Sequence, residues 1–329
     1  MNEITSQPPL LVLVGPTAVG KTAVAIELAL RLQGEVVSAD SMQVYRGLDI
    51  ATAKPTPVEM KGVPHHLLDV VDPNEEFNVA RYRDLAREAI ARIHERGNLP
   101  VLSGGTGLYI KAVLGEFLFP DTSRSPQLRR ELTDFARTEG AEALHARLAE
   151  VDPESAARLH VNDIRRVIRA LEIFTQTGIP MSKHLAQATV EEVEPRYRTV
   201  QVGLTRPRQQ LYDRINHRVR VMVEQGLLQE TEDLLASGVL KEGSVAAQAL
   251  GYKEMRRFLE GECSLEEAVA RLQQATRRYA KRQYTWFRHQ AKIQWFDLSQ
   301  WPDPTTAAQA ITSHVRHQLE WYKEGPPCL

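Results

Sequence analysis

The chain has 329 residues, 43% of them hydrophobic and 25% charged, which is enough for a large globular domain and a smaller one with separate cores. Its 41 basic and 42 acidic residues give a formal net charge of -1, so net charge neither identifies nor excludes a polyanionic partner. The two cysteines, Cys263 and Cys328, have no metal-ligand spacing, and the apolar run near the N-terminus has five residues. We therefore expect a cytoplasmic protein without a disulfide framework, signal peptide or membrane span.

Strands and helices alternate through the first 115 residues. Apolar runs predict strands at residues 10–14, 36–37, 67–71 and 99–102. Apolar side chains recur at helical spacing in residues 22–32 and 77–94. This alternation indicates a parallel sheet with right-handed crossovers, in which ligands bind at the carboxyl edge.

The pattern changes near residue 120. Residues 120–195 show helical periodicity and no strand, whereas 199–204 restores a strand, 207–290 is helical, and 293–296 adds a short edge strand. We predict an α/β protein: a P-loop parallel sheet flanked by helices, with an inserted all-helical domain. The catalytic core with its C-terminal helices takes residues 1–118 and 197–329, and the inserted helical domain takes 119–196.

The sequence GPTAVGKT occupies residues 15–22, between the first predicted strand and the first predicted helix. This is the phosphate-binding loop G-x-x-x-x-G-K-[ST] in the context that it requires. Backbone N–H groups and the helix N-terminus bind phosphate oxygens, Lys21 adds a positive charge, and the Thr22 hydroxyl can bind Mg²⁺. The residues expected to bind a diphosphate are Gly15, Pro16, Thr17, Ala18, Val19, Gly20, Lys21 and Thr22.

Two further segments end strands at the same predicted edge. Asp40 follows the second strand, where its carboxylate could bind Mg²⁺, act as a general base, or cap a turn or helix. Residues 103–107, SGGTG, follow the strand at 99–102. Three glycines there allow close backbone approach to a ligand or partner, although a tight turn is an equally good interpretation.

A basic stretch lies near the C-terminus. Residues 271–292 contain seven Lys and Arg, no acidic residue, and interleaved aromatic side chains. Such a helix can neutralise phosphates and stack on bases, or it can be a solvated surface. A small-molecule kinase explains the phosphate loop and Asp40 only, whereas an enzyme that acts on a nucleic acid with a diphosphate donor also explains this helix.

Six blocks of sequence carry a resemblance to a known family: GPTAVGKT at 15–22, SADSMQVYRGLDIATAKP at 38–55, LPVLSGGTGLYIKAVL at 99–114, NDIRRVIRALEI at 162–173, ALGYKEM at 249–255 and RRYAKRQYTWFR at 277–288. In this order, through about 280 residues, the chain resembles the bacterial tRNA dimethylallyltransferase (tRNA isopentenylpyrophosphate transferase) family. The resemblance implies transfer of a dimethylallyl group from dimethylallyl diphosphate to N6 of adenosine 37, beside the anticodon, with Mg²⁺ as cofactor. It implies that the modified tRNAs read codons beginning with U and that the inserted domain at residues 119–196 binds tRNA.

The resemblance also implies roles for particular residues. Asp40 is the general base, Lys21 and Arg214 bind the pyrophosphate, and Thr22 holds Mg²⁺. The residues implied to bind the tRNA anticodon stem-loop and its flipped base are Asp40, Ser41, Met42, Gln43, Thr106, Arg129, Arg165, Arg166, Arg169, Gly251, Tyr252, Lys253, Lys281, Arg282 and Arg288.

Two other functions stay open at this point. An isopentenyltransferase that acts on free adenine nucleotides shares the phosphate loop and an aspartate, but it does not need the insertion or the basic helix. A P-loop kinase or ATPase would turn over ATP. Nothing in the sequence indicates an obligate dimer, so we expect a monomer.

Overall fold

The computed structural model describes residues 7–115, 125–190, 195–241 and 244–319. Cys328 lies outside these residues. The chain forms two compact units, one of residues 1–113 with 195–329 and the other of residues 114–194. No helix among the described residues combines the length and apolarity that a bilayer crossing requires.

The first unit is built on a six-stranded parallel sheet in the order β3-β2-β4-β1-β5-β6. Its strands are β1 (Pro9–Val14), β2 (Gly34–Ala39), β3 (His65–His66), β4 (Leu99–Gly104), β5 (Arg198–Thr205) and β6 (Ile293–Asp297). β1 is central, with Val14 opposite Gly104 of β4 and Gly203 of β5. The predicted α/β fold class is confirmed, and the strand after the insertion joins the same sheet.

Nine described helices accompany this sheet: α1 (Lys21–Leu32), α2 (Pro57–Met60), α3 (Val79–Glu95), α4 (Gly107–Leu114), α10 (Arg208–Glu224), α11 (Leu227–Ala236), α12 (Tyr252–Leu259), α13 (Leu265–Arg288) and α14 (Pro304–Leu319). α1 and α14 pack together over one face, where they join alternate residues of β1, including Leu11 and Leu13, in one buried cluster. On α3, the buried Tyr82 donates a hydrogen bond to the Ser38 carbonyl of β2 at 2.9 Å. Burial of this apolar surface stabilises the sheet, whose carboxyl edge carries the site described below.

The strand prediction at 67–71 was wrong. The third strand is β3, which pairs with β2 through His65 and His66. Leu67 and Asp69 have φ values of 64° and 55°, in the left-handed region, and this breaks the extended conformation. Only an isolated bridge between Tyr45 and Val71 is recorded in that segment.

The second unit is helical, with α5 (Pro126–Thr138), α6 (Ala141–Val151), α7 (Pro153–Arg158), α8 (Ile164–Thr177) and α9 (Met181–Val190). Leu132, Leu144, Leu148, Val167 and Leu171 are among the residues of its own hydrophobic core. This agrees with the helical periodicity of the sequence between the two sheet-forming segments.

Candidate active site

Loops that follow β1, β2, β4 and β5 meet at one edge of the sheet because parallel strands end on the same side. The loop after β1 is the phosphate loop. Gly15 and Gly20 have φ values of 152° and 115°, which disfavour a side chain, and Ala18 also has a positive φ of 63°. A Cβ at Gly15 would lie 2.6 Å from the Leu204 carbonyl oxygen of β5, so glycine also permits the loop to pack against that strand.

Lys21 lies at the first position of α1, and its side chain turns back over the loop. Its Nζ donates hydrogen bonds to the carbonyl oxygens of Gly15 and Pro16, each at 2.8 Å. Burial lowers the pKa of Lys21 to about 7; the charge of Asp40 opposes this shift and that of Arg218 adds to it. Lys21, Asp40 and Arg218 are therefore close enough to interact electrostatically.

Three arginines surround the phosphate loop. Arg214 of α10, a predicted diphosphate ligand, donates from Nε to the Ala18 carbonyl at 2.9 Å. Arg206, directly after β5, donates from Nε to the Val19 carbonyl at 3.0 Å. The side chain of Arg218 makes no hydrogen bond to another described residue, and burial lowers its pKa, whereas Asp40 and Glu59 act to raise it.

Sequence reasoning missed Arg206 and Arg218. Two signals could have found them: Arg206 is the first residue past a strand of the central sheet, and Arg218 stands four residues after Arg214, on the same helix face. Together with Lys21, these side chains concentrate positive charge at the loop, as binding of a diphosphate requires.

Asp40 follows β2 as predicted and caps a turn. Its Oδ1 accepts hydrogen bonds from the backbone N–H groups of Met42 at 2.9 Å and Gln43 at 3.4 Å. Its Oδ2 accepts none from the described residues. The turn therefore orients the carboxylate and leaves one oxygen available to accept a proton.

The other predicted residues of this segment hold the loops in place. Thr106 accepts a hydrogen bond at its hydroxyl from the Ser41 N–H at 3.1 Å. The side chain of Gln43 accepts from the Ser38 hydroxyl and donates to the carbonyls of Thr52 and Ala53 at 3.2 Å. The Gln43 amide is thus hydrogen-bonded within the protein, and its contact with a flipped nucleotide stays a prediction.

The residues around Thr22 fit a magnesium ion. Its side chain is exposed and its hydroxyl makes no hydrogen bond within the described part of the chain. No group of three or more His, Cys, Asp or Glu suited to a metal occurs in that same part. Mg²⁺ commonly takes one or two protein ligands and completes its shell with water and substrate phosphates, which matches a lone hydroxyl beside a phosphate loop.

The basic helix predicted near the C-terminus is α13. Lys281, Arg282 and Arg288 are exposed on it, and their contact with RNA stays a prediction. Its opposite side faces the site: Gln283 accepts from the Thr17 N–H at 2.8 Å and donates to the Gly105 carbonyl at 3.1 Å. The glycines of 103–107 therefore allow this loop to pack closely against α13 and β2.

The profile of the IPP transferase family matches residues 43–290. This chain belongs to that family. Over 291 residues it is 53% identical to the tRNA dimethylallyltransferase of Halalkalibacterium halodurans, covering 88% of this chain and 91% of that protein. It is 46% identical over 315 residues to the tRNA dimethylallyltransferase of Bacillus subtilis, covering 96% of this chain and 99% of that protein.

Solved structures of similar enzymes lead to the same family. A full-length tRNA isopentenylpyrophosphate transferase from Bacillus halodurans has a TM-score of 0.71 and 47% identity, over 97% of this chain and 99% of that one. A eukaryotic dimethylallyltransferase, studied in the course of acting on tRNA, has a TM-score of 0.79 and 30% identity, over 95% of this chain and 80% of that one. The resemblance seen in the sequence motifs is confirmed, and the chain is a prenyltransferase enzyme of the tRNA dimethylallyltransferase family.

Among the predicted tRNA contacts of this family member, Tyr252 needs correction. It is 0% exposed, and its hydroxyl donates a hydrogen bond to Glu230 at 2.6 Å. Gly251 is also buried, with φ 103°, and a Cβ there would lie 2.8 Å from the Cβ of Ala51. As placed, these two residues have no surface for RNA and instead support the segment after β2, whereas Lys253 is exposed.

The predicted arginines of the second unit are engaged in ion pairs. Arg129 donates two hydrogen bonds to the buried Glu172, at 2.9 and 2.7 Å, and Arg169 donates a third at 2.6 Å. Arg166 lies 3.3 Å from Asp163. The charges of Arg129 and Arg169 are therefore offset locally; RNA contact by these residues and by Arg165 stays a prediction.

Proposed function

We propose that the chain transfers the dimethylallyl group of dimethylallyl diphosphate to N6 of adenosine 37 in tRNAs that read codons beginning with U, and that pyrophosphate is released. The observation that carries this proposal is the placement of Asp40 within electrostatic reach of Lys21 and Arg218 at the phosphate loop, with one carboxylate oxygen that accepts no hydrogen bond from the described residues. A base thus stands beside a site for an anionic leaving group. The similar enzymes named above act on tRNA, which supplies the acceptor.

The chemistry assigns a task to each group. The bond between the allylic carbon and the diphosphate oxygen breaks, and that carbon forms a bond to N6. The N6 proton passes to Oδ2 of Asp40, since a neutral exocyclic amine is a weak nucleophile until it loses a proton. Lys21, Arg206, Arg214 and Arg218 stabilise the negative charge that develops on the departing pyrophosphate.

Adenine must leave the anticodon stack before N6 can reach Asp40, so the reaction requires base flipping. The anticodon stem-loop would lie along the exposed basic residues of α13, in particular Lys281, Arg282 and Arg288. Thr22 would hold Mg²⁺, which when bound adds positive charge at the diphosphate.

The decisive experiment incubates the protein with isotopically labelled dimethylallyl diphosphate and a tRNA that carries adenosines at positions 36, 37 and 38. We expect label at N6 of adenosine 37 and one pyrophosphate per transfer, formed only when both substrates are present. Absence of label at that position would refute the proposal. Parallel reactions with free adenine nucleotides and with ATP alone test the other two functions, which predict prenylated nucleotide and ATP turnover, respectively.

A further inference from the structure

The side chain of Gln283 joins two loops of the candidate site. It lies on α13, is 6% exposed, and sits three residues before the exposed Trp286. Its Oε1 accepts from the Thr17 N–H of the phosphate loop at 2.8 Å, and its Nε2 donates to the Gly105 carbonyl at 3.1 Å. One neutral amide therefore satisfies a backbone donor and a backbone acceptor that are 88 residues apart in the sequence.

The two bonds need an acceptor and a donor at the end of one side chain, which the amide of Gln283 provides. An ionised carboxylate accepts but cannot donate to Gly105, a methionine sulfur is a weak acceptor and cannot donate, and an asparagine is one methylene too short. The loop after β4 is shaped around this amide: a Cβ at Gly105 would lie 2.1 Å from Nε2 of Gln283. The fit thus depends on Gln283 and on the absence of a side chain at Gly105.

The preceding turn of α13 lies near Asp40, the proposed general base. Tyr279, one turn before Gln283, interacts with the Thr106 side chain and with the charge of Asp40. Thr106 in turn accepts from the Ser41 N–H, next to Asp40. Lys281 and Arg282 on that turn are exposed. On α13, Gln283 thus holds the phosphate loop, whereas Tyr279 lies toward Asp40.

We propose that Gln283 is a positioning residue, which sets the conformation of the phosphate loop for diphosphate by tying Thr17 and Gly105 to helix α13. It touches no substrate itself. The inference rests on the proposed function insofar as the loop binds the diphosphate of the donor. Loss of the amide leaves the Thr17 N–H and the Gly105 carbonyl without these partners, so the loop conformation seen here, which we propose is the one that binds diphosphate, becomes less stable.

The test compares Gln283→Met with Gln274→Met, the same substitution on an exposed position of α13. The probe is inorganic pyrophosphate with Mg²⁺, measured by titration calorimetry, and steady-state kinetics give the KM of each substrate. For Gln283→Met we expect pyrophosphate affinity to fall about 10-fold and the KM of dimethylallyl diphosphate to rise similarly, with the KM of tRNA unchanged. Gln274→Met should match the wild type in all three measurements.

Failures of the two proposals are distinguishable. If the wild type does not bind pyrophosphate, the proposed role of the loop is refuted. If the wild type binds it and folded Gln283→Met binds equally well, or if the two KM values rise together, the positioning role is refuted. Should Gln283→Met fail to fold, Gln283→Asn serves instead: it keeps the amide but cannot span the gap, and binding equal to that of the wild type would also refute the role.

A double-mutant cycle provides an independent measurement. Gly105→Ala alone should weaken pyrophosphate binding because the added methyl displaces the Gln283 amide. In a Gln283→Ala background the same methyl has space, so the second substitution should add little. Additive losses in the cycle would contradict direct coupling between the two positions.

Discussion

Backbone groups orient the charged side chains of the candidate site. Carbonyl oxygens of the phosphate loop accept from Lys21, Arg206 and Arg214, and backbone N–H groups hold Oδ1 of Asp40. Carbonyl dipoles partly offset the mutual repulsion of several cations without neutralising them, as a carboxylate partner would. The positive charge therefore remains available to an anionic ligand.

Asp40→Asn should abolish transfer and leave tRNA affinity nearly unchanged. The amide can retain the turn, but it cannot take the N6 proton, and loss of a general base lowers rates by roughly 100- to 10,000-fold. Single-turnover transfer and a tRNA binding assay provide the measurements. Asp84→Asn, at an exposed aspartate of α3, is the control. A large loss of tRNA affinity in Asp40→Asn would instead indicate a recognition role.

Thr22→Val should raise the Mg²⁺ concentration needed for half-maximal transfer. The substitution keeps the shape of the side chain and removes a hydroxyl that bonds to no other described residue, so stability should change little. A Mg²⁺ titration of the transfer rate, with a thermal melt of each protein, makes the comparison. An unchanged Mg²⁺ requirement would show that Thr22 is not a ligand.

At the scale of elements, α11 and α12 hold the segment that follows β2. Glu230 of α11 accepts hydrogen bonds from the backbone N–H groups of Asp49, Ile50 and Ala51, at 3.2, 2.8 and 3.3 Å, and from the Tyr252 hydroxyl. One carboxylate thus fixes three consecutive residues of the segment. Through Glu230, Tyr252 of the ALGYKEM block at 249–255 is connected to the segment at 38–55.

Tyr252→Phe should lower the free energy of unfolding by about 2 kcal/mol, because it removes a buried hydrogen bond to a charged group. Affinity for tRNA should fall less than in Lys253→Ala, since Lys253 is the exposed neighbour. Urea denaturation and a tRNA binding assay test both statements. Unchanged stability with a large loss of tRNA affinity would contradict this interpretation and support the direct contact between Tyr252 and tRNA that the sequence predicted.

For the whole molecule, each compact unit contains a buried carboxylate held by arginine. In the first unit, hydrogen bonds from Arg96 are the largest cause that lowers the pKa of Glu35 to about 2, with burial acting against them. In the second unit, burial raises the pKa of Glu172, but hydrogen bonds from Arg129, Arg169 and the Ser125 N–H outweigh it and lower the pKa to about 2.

Acid should therefore destabilise both units. A carboxylate whose pKa is lower in the folded than in the unfolded state stabilises the fold. This contribution is complete above the ordinary pKa of 4.5 and is lost as the pH falls to about 2. It amounts to about 3 kcal/mol for each carboxylate. Urea denaturation between pH 7 and pH 2.5 measures it. Glu35→Gln and Glu172→Gln should each flatten the pH dependence of their own unit; an unaltered slope in either variant would contradict the assignment.

The family, the phosphate loop and the alternation that builds a parallel sheet could all be predicted from the amino-acid sequence. These are local properties: a short motif between a strand and a helix, and periodicity along the chain. It also placed Asp40, because a residue just past a strand of a parallel sheet must lie at the carboxyl edge. Arg214 was reached through the family motif and lies at the loop as expected.

Which further side chains face the site depends on how the elements pack together. Arg206 and Arg218 reach the phosphate loop through the packing of β5 and α10, and Gln283 reaches it from 266 positions beyond Thr17. Packing also buried Tyr252 against Glu230, and left-handed residues interrupted the strand predicted at 67–71. These contacts join residues that are far apart in the sequence, so local patterns do not reveal them. The type of a residue also does not specify whether the fold buries it or leaves it exposed on its helix.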